Sequence, residues 1–265
     1  MQIAGMIIEY NPMHSGHLYL LAETRRRLGA DTAVIAVMSG NFVQRGDFAL
    51  LRKHARSRAA VESGVDLVLE LPLPWAVSSA EGFARGAVET LAATGLVTHL
   101  AFGSECGDAA ALQRLAGALN ALDWQESLRG QLKLGVGFAE ARQRAVAQCL
   151  PEEAALLETP NNILAVEYCR QLLHLGSSME ILTVARQGAG YHDTAPAAGH
   201  PSATMLRQLA RQGQREELLS RLPPAMADVY VREEAAGRAP VLAENAERAI
   251  LARLRAMSLE ELARL

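Results

Sequence analysis

Only three of the 265 residues are cysteine. Cys106, Cys149 and Cys169 share no C-x-x-C spacing, and an odd, scattered set excludes both a disulfide framework and a structural zinc site. Such usage fits a reducing compartment, so a cytoplasmic location is expected. Long apolar runs are missing too. Glu9 and Asn11 interrupt the run that begins at Ile3, and no stretch approaches the roughly eighteen uninterrupted apolar residues of a membrane span. The chain reads as soluble and unexported, with no membrane partner. There is no excess of positive charge: 26 Lys plus Arg stand against 29 Asp plus Glu, a formal net charge of −3. No overall field recommends nucleic acid, DNA is not expected as a partner, and any contact with RNA has to come from a local patch. Lysine is nearly absent, at Lys53 and Lys133 only. The Gly-x-Gly-x-x-Gly and P-loop fingerprints are missing as well, which removes dinucleotide oxidoreductases and P-loop NTPases.

What is present is an ordinary globular balance, 50% hydrophobic and 21% charged, in a length that accommodates one large or two modest domains. Short β-branched runs at Ile3 to Glu9, Thr32 to Met38, Asp66 to Leu71, Thr98 to Phe102 and Ile181 to Val184 read as fully buried strands. Segments of helical period separate them: Gly16 to Leu28, Leu51 to Ser63, Ser79 to Ala93, Asp108 to Leu122 and Asn162 to Leu175. Strand and helix in alternation imply an α/β fold, a Rossmann-like parallel sheet with helices on both faces. Ligands of such sheets bind beyond the carboxyl ends of the strands, so the loops after those ends are where function is expected. Residues 1–210 are read as one domain with a helical insertion at about 123–158. Residues 211–265 are read as a helical C-terminal segment punctuated by Pro223-Pro224 and Pro240.

The loop after the first strand carries Glu9-Tyr10-Asn11-Pro12-Met13-His14-Ser15-Gly16-His17. A helix N-terminus offers unpaired N–H groups and the positive end of its dipole to a phosphate, Gly16 lets the backbone approach closely, and His14 and His17 can donate to phosphate oxygens. Together they suit charge developing on an α-phosphorus as pyrophosphate leaves. The plainer readings are a metal half-site or two solvated imidazoles. No His, Cys and carboxylate cluster has zinc spacing, so no metal held by the protein is expected.

His14-Ser15-Gly16-His17 resembles the H-x-G-H signature of the nucleotidyltransferase superfamily. Further stretches are similar to one family within it, the bacterial tRNA(Met) cytidine acetate ligases: Ile8 to Pro12; Ser39-Gly40-Asn41-Phe42-Val43-Gln44-Arg45-Gly46, with Lys53 and Arg56; Gly64 to Pro72; Ser79-Ala80-Glu81; and Phe102-Gly103-Ser104-Glu105. Pro160-Asn161-Asn162-Ile163-Leu164, Arg186 with Gly188 to Asp193, and Ser202-Ala203-Thr204 with Arg207 follow in the family's order. Against the family pattern, Met13 stands for Phe and Ser15 for Asn. Family members also run past the point where this chain stops, so the C-terminal segment is expected to be shortened relative to them.

The resemblance implies an ATP-dependent ligase of the H-x-G-H nucleotidyltransferase fold. Acetate would be activated as acetyl-adenylate and passed to the exocyclic amine of the wobble cytidine of elongator tRNA(Met). It also implies that Ile7, Ile8, Glu9, Tyr10, Asn11, Pro12, Met13, His14, Ser15, Gly16 and His17 contact ATP, together with Gly103, Asn161 or Asn162, and Arg186. His14 and His17 are the expected catalytic pair, and Mg²⁺ is expected through the ATP phosphates. Ser202 and Thr204 open a helix, where they cap it, bind phosphate, or do both. An Asn before a helical run is an ordinary N-cap, so one of Asn161 and Asn162 is expected to cap rather than bind. Asn41, Gln44 and Arg45 in the loop after the second strand, Lys53 beyond it, and His192 are expected to face substrate. His54, His99, His174 and His200 receive no task. Two other functions share these features: adenylylation of a small phosphate-bearing substrate, and a nucleotide- or tRNA-binding module without turnover. The helices after Ala210 interleave Arg with Glu, as in Arg215-Glu216-Glu217, which is a solvated face rather than a phosphate-tracking stripe.

Overall fold

The five apolar runs become the strands β1 (Ile3–Ile8), β2 (Ala33–Ser39), β3 (Leu67–Leu71), β4 (His99–Ser104) and β5 (Glu180–Ala185). The computed structural model describes residues 1–44, 46–121, 124–186 and 200–264. All five strands are parallel in one sheet of order β3-β2-β1-β4-β5. The chain builds outward from β1 to β3 on one side and then returns to place β4 on the other. The switch point of the winding therefore lies between the carboxyl ends of β1 and β4, where such sheets leave a crevice.

Alternation along each strand decides what each face buries, because successive side chains point to opposite sides. Ala4, Met6 and Ile8 of β1, with Val34, Ala36 and Met38 of β2, enter one core, whereas Ile35 and Val37 enter the other. The first core is closed by α1 (Ser15–Leu28), α2 (Lys53–Glu62), α10 (Ala203–Arg211), α11 (Arg215–Arg221) and α12 (Pro224–Ala235). The second is closed by α3 (Leu73–Ala76), α4 (Ala80–Ala93), α5 (Ala109–Ala121), α7 (Phe138–Ala147), α8 (Pro151–Ala154) and α9 (Pro160–Leu175). Between α5 and α9 also stand α6 (Gln125–Lys133), before α7, and a 3-10 turn at Ala155–Glu158, after α8; beyond α12 lie α13 (Ala243–Ala256) and α14 (Leu259–Leu262). Among the described residues no helix is long and apolar enough to cross a membrane.

Two expectations need correction. The strands are not all fully buried: β3 and β5 are the sheet's edges, and Leu67, Glu70, Glu180 and Ala185 are exposed there. The helix of Asn161 and Asn162 starts earlier than its apolar period suggests, because Pro160 occupies a first-turn position where its missing N–H costs nothing. Thr159 is its N-cap, so neither Asn takes that place.

Candidate active site

A cavity of about 370 Å³ opens over the carboxyl ends of β1, β4 and β5. Its size is that of a small-ligand site. Ile7, Ile8, Glu9, Tyr10 and Asn11 enter its wall from the end of β1, Phe102 and Gly103 from β4, and Val184, Ala185 and Arg186 from β5. His14, Gly16 and His17 line it from the start of α1, Asn161 from α9, Ser202 from the start of α10, and Gln44 from the loop after β2.

The loop leading into α1 is held by its own backbone and side chains. Tyr10 is the one described non-glycine residue with positive φ, 46°. That conformation disfavours a bulky residue, and here it is held by burial of the ring, 4.8 Å from the ring of His17. Burial also pushes the Tyr10 phenol well up. Asn11 accepts the Leu50 N–H through Oδ1 at 2.7 Å, and its carbonyl accepts from Arg207 Nη1 at 2.9 Å. Beneath the loop the guanidinium of Arg56, fully buried, donates to the carbonyls of Glu9, Ser39, Gly40 and Leu51. One cation thus ties the ends of β1 and β2 together, and burial brings its pKa down to about 10.

His14 is the N-cap of α1. Its Nδ1 accepts the Gly16 N–H at 3.1 Å, while Nδ1 of His17 accepts the His14 N–H at 3.1 Å. Both Nδ1 atoms are acceptors, so each neutral ring carries its proton on Nε2. Burial, then the positive charge of Arg186 and then His200, bring the His14 pKa down to about 3. His17 lies well below the usual imidazole range, through burial and then its neighbours His14 and Arg186. The pair is a set of two neutral N–H donors, not a pair of imidazolium ions. Gly16 is needed for room: a Cβ there would stand 3.0 Å from the His14 ring.

The two asparagines divide. Asn162 is buried, and its Oδ1 accepts the N–H groups of Glu105 and Cys106 at 3.0 and 3.1 Å, which fixes the turn after β4. Asn161 lines the cavity and donates Nδ2 to Glu105 Oε1 at 2.6 Å. The first-turn N–H groups of α9 that an Asn cap was expected to satisfy go to the Glu105 carboxylate instead. Gly103 lines the cavity and has no positive φ, and the nearest atoms a Cβ there would meet are the Arg186 stem at 3.4 Å and the Val184 carbonyl at 3.8 Å, ordinary van der Waals contacts. Ser202 caps α10, accepting the Met205 N–H at 3.1 Å, and lines the cavity as well.

Other residues expected here lie elsewhere. Pro12 and Met13 are buried beneath the loop, and Ser15 shares a hydrogen bond with His200 Nδ1 at 2.8 Å. Thr204 turns to Arg207, whose Nη2 donates to its hydroxyl at 3.2 Å. Asn41 accepts the Lys53 N–H through Oδ1 at 2.8 Å, and the Lys53 ammonium pairs with Glu70 at 2.6 Å. Neither lines the cavity. Arg45 and His192 lie outside the described residues. Among the wall residues that the sequence gave no place in the site are Tyr19, His200 and Arg207. Their signals were a ring one turn into α1 and two polar residues flanking Ser202-Ala203-Thr204. Among the described residues no three His, Cys, Asp or Glu side chains are grouped to hold a metal ion.

The model of the HIGH nucleotidyl transferase family matches residues 1–265. The chain belongs to this family. Within the HIGH family it is similar to curated tRNA(Met) cytidine acetate ligases, as the motifs implied. The Syntrophomonas wolfei enzyme is 41% identical over 99% of this chain and 64% of its own length; that of Syntrophotalea carbinolica is 46% identical over 86% and 55%. Among solved structures, apo Thermotoga maritima TmcAL superposes with a TM-score of 0.90 at 41% identity, over 98% of this chain and 63% of that one. The same protein bound with alpha-thio ATP gives 0.84 at 41% identity, over 93% and 59%. The chain spans about three-fifths of the length of the family members it matches.

Proposed function

We propose that this chain carries the ATP-dependent, acid-activating half of a tRNA(Met) cytidine acetate ligase. The observation that carries the reading is the pair of neutral imidazoles, each with Nδ1 turned back on the α1 loop and its proton on Nε2, in a cavity at the sheet's switch point. ATP lies across the carboxyl ends of β1, β4 and β5, its phosphates toward the starts of α1 and α10. An acetate oxygen bonds to the α-phosphorus as the bond to pyrophosphate breaks. His14 and His17 donate to oxygens that gain charge, and Arg186 adds a fixed positive charge. Because both rings are neutral beforehand, no proton has to move for them to act. Ser202 supplies a hydroxyl at a second helix start. Support comes from the likeness to T. maritima TmcAL, whose solved structure holds alpha-thio ATP.

In the second half-reaction the N4 amine of the wobble cytidine attacks the acetyl carbonyl, the N–C bond forms, the C–O bond to AMP breaks and a proton is released. Elongator tRNA(Met) and acetate are the proposed partners, in the cytoplasm. Mg²⁺ would ride on the ATP phosphates: Glu9 is the one carboxylate among the described wall residues, and its Oε1 already accepts the Gln44 N–H at 2.8 Å. The test is acetate-dependent exchange of labelled pyrophosphate into ATP. Exchange is expected, falling about 10²-fold or more in His14→Ala and His17→Ala. Exchange that needs a phosphate-bearing acceptor instead of acetate would select adenylylation of such a substrate.

A further inference from the structure

The second half-reaction sheds a proton. The lone pair of the cytidine N4 amine is delocalised into its ring, so the amine attacks only as an N–H bond gives up its electrons, and a base has to stand beside it. Little in the cavity wall can serve. The Nδ1 atoms of His14 and His17 are taken by backbone N–H groups, and burial above all holds both rings well below the usual imidazole range. Guanidinium ions have no lone pair to offer, and neutral hydroxyls and amides are weak bases. Among the described wall residues that leaves the carboxylate of Glu9 and the ring of His200.

These two stand on opposite sides of the cavity. Successive residues of β1 alternate between the cores: Ile8 belongs to the first, and Ile7 packs against the second. By the same alternation Glu9 falls on the side of Ile7. Its Oε1 accepts the Gln44 N–H at 2.8 Å. Burial first, and the Glu9 charge second, push the Tyr168 phenol of α9 well up, so the carboxylate lies between the loop after β2 and the second-core wall. His200 is bonded to Ser15 at the start of α1 and precedes Ser202, the cap of α10, by two residues, which puts it on the first-core side. In the proposed pose the phosphates point to those two helix starts. In-line displacement sets the entering acetate opposite the leaving pyrophosphate, hence on the second-core side with Glu9. Arg56, which donates to the Glu9 carbonyl, offsets part of the negative charge there.

We infer that Glu9 is a catalytic residue of the transfer step: its carboxylate accepts a proton from the N4 amine as the acetyl group passes to cytidine, an inference that rests on the acetate-ligase reading above. The N–H bond breaks and an O–H bond forms on Glu9. The N–C bond forms, and the C–O bond to AMP breaks with its electron pair leaving on the phosphate. The proton then passes to water. A carboxylate offers about four acceptor positions on its two oxygens, so holding the Gln44 N–H and accepting from an amine are compatible.

The test gives the full chain ATP, acetate and a transcript of elongator tRNA(Met), and measures acetylcytidine by mass analysis of the nucleosides. In parallel, hydroxylamine, a nucleophile strong enough to attack acyl-adenylates without a base, traps acetyl-adenylate as the hydroxamate. Glu9→Gln keeps the size of the side chain and an oxygen for the Gln44 N–H, yet cannot take the proton. Its ratio of acetylcytidine rate to hydroxamate rate is expected to fall about 10²-fold at saturating tRNA, whereas in His200→Gln the ratio holds within a few-fold. Glu9→Asp, which returns a carboxylate on a shorter stem, should recover part of the ratio. An unaltered ratio in Glu9→Gln overturns the inference. So does a loss of hydroxamate as deep as that of acetylcytidine, a loss that more tRNA removes, or a loss seen in His200→Gln instead. A wild-type chain that forms hydroxamate but no acetylcytidine overturns it too and leaves acid activation standing. A wild-type chain that forms no hydroxamate from acetate brings down the acetate-ligase reading, and the inference with it.

Discussion

His17 accepts the backbone N–H of His14 through Nδ1 at 3.1 Å, and the two rings stand 3.8 Å apart, centroid to centroid. His14 in turn uses its own Nδ1 on the Gly16 N–H. The start of α1 is thus capped by the side chains that line the cavity. Capping and site geometry are one arrangement: the bonds that end the helix also choose the tautomer that donates. Four consequences can be measured.

The first concerns pH and stability. Folded His14 titrates at about 3 rather than 6.5, and His17 is also well below 6.5. Below about 6.5 the unfolded chain takes up protons that the folded chain refuses, so more protons are bound in the unfolded state and stability falls as pH is lowered through that window toward about 3. The urea midpoint is expected to be lower at pH 5 than at pH 7. A His14→Asn, His17→Asn double variant removes both groups and should lose less over the same interval. An equal loss in both proteins would rule the imidazoles out as its source.

The second separates stability from activity at one glycine. Gly16 lies within α1, where alanine is ordinarily the better residue by about 1 kcal/mol. A methyl at that position meets the His14 ring at 3.0 Å and has to displace it. Gly16→Ala should therefore leave the thermal midpoint close to wild type, the gain in helix propensity being opposed by the strained His14 cap, while pyrophosphate exchange drops about 10-fold or more, the sensitivity expected of a misplaced catalytic group. Full exchange in Gly16→Ala would mean that the His14 ring position is not critical.

Arg56 makes the third prediction. Its guanidinium is buried and serves four carbonyls at the ends of β1 and β2. Arg56→Met fills similar space but leaves those carbonyls without donors, at a cost of about 3 kcal/mol or more. Arg56→Lys, with one nitrogen in place of a fork, should recover only part of it. Guanidinium chloride unfolding of the three proteins gives the comparison, and a Met variant as stable as wild type would contradict the role.

Asn162 supplies the fourth. It is buried, and its Oδ1 serves two backbone N–H groups of the turn after β4. Asn162→Ala should lower stability by about 2 kcal/mol or more, whereas Asn161→Ala, at the cavity wall, should leave the midpoint close to wild type. Unfolding curves of the two variants decide it. Reversed effects would exchange the roles of the two asparagines.

Much of the fold was legible along the chain. Five β-branched runs separated by helical periods specify the parallel sheet, since strands buried on both faces show continuous apolar residues rather than alternation. The edge positions of β3 and β5 were not legible, because strand order depends on which elements pack together. The His14-Ser15-Gly16-His17 loop was readable because four adjacent residues carry its chemistry. His200 was not, since it reaches Ser15 across 185 residues. Lys53 and Asn41 looked like substrate contacts until Glu70 took the ammonium and the Lys53 N–H took the amide oxygen.

By itself, then, the order of residues determined the strands, the helices between them, the imidazole loop and the family likeness, because each rests on neighbours in the chain. Tertiary structure alone decided which Asn faces the cavity, which tautomer each imidazole holds and which cation is spent on backbone carbonyls. Those outcomes depend on hydrogen-bond partners brought together by folding, and a donor commits to whichever acceptor the packed backbone places within about 3 Å.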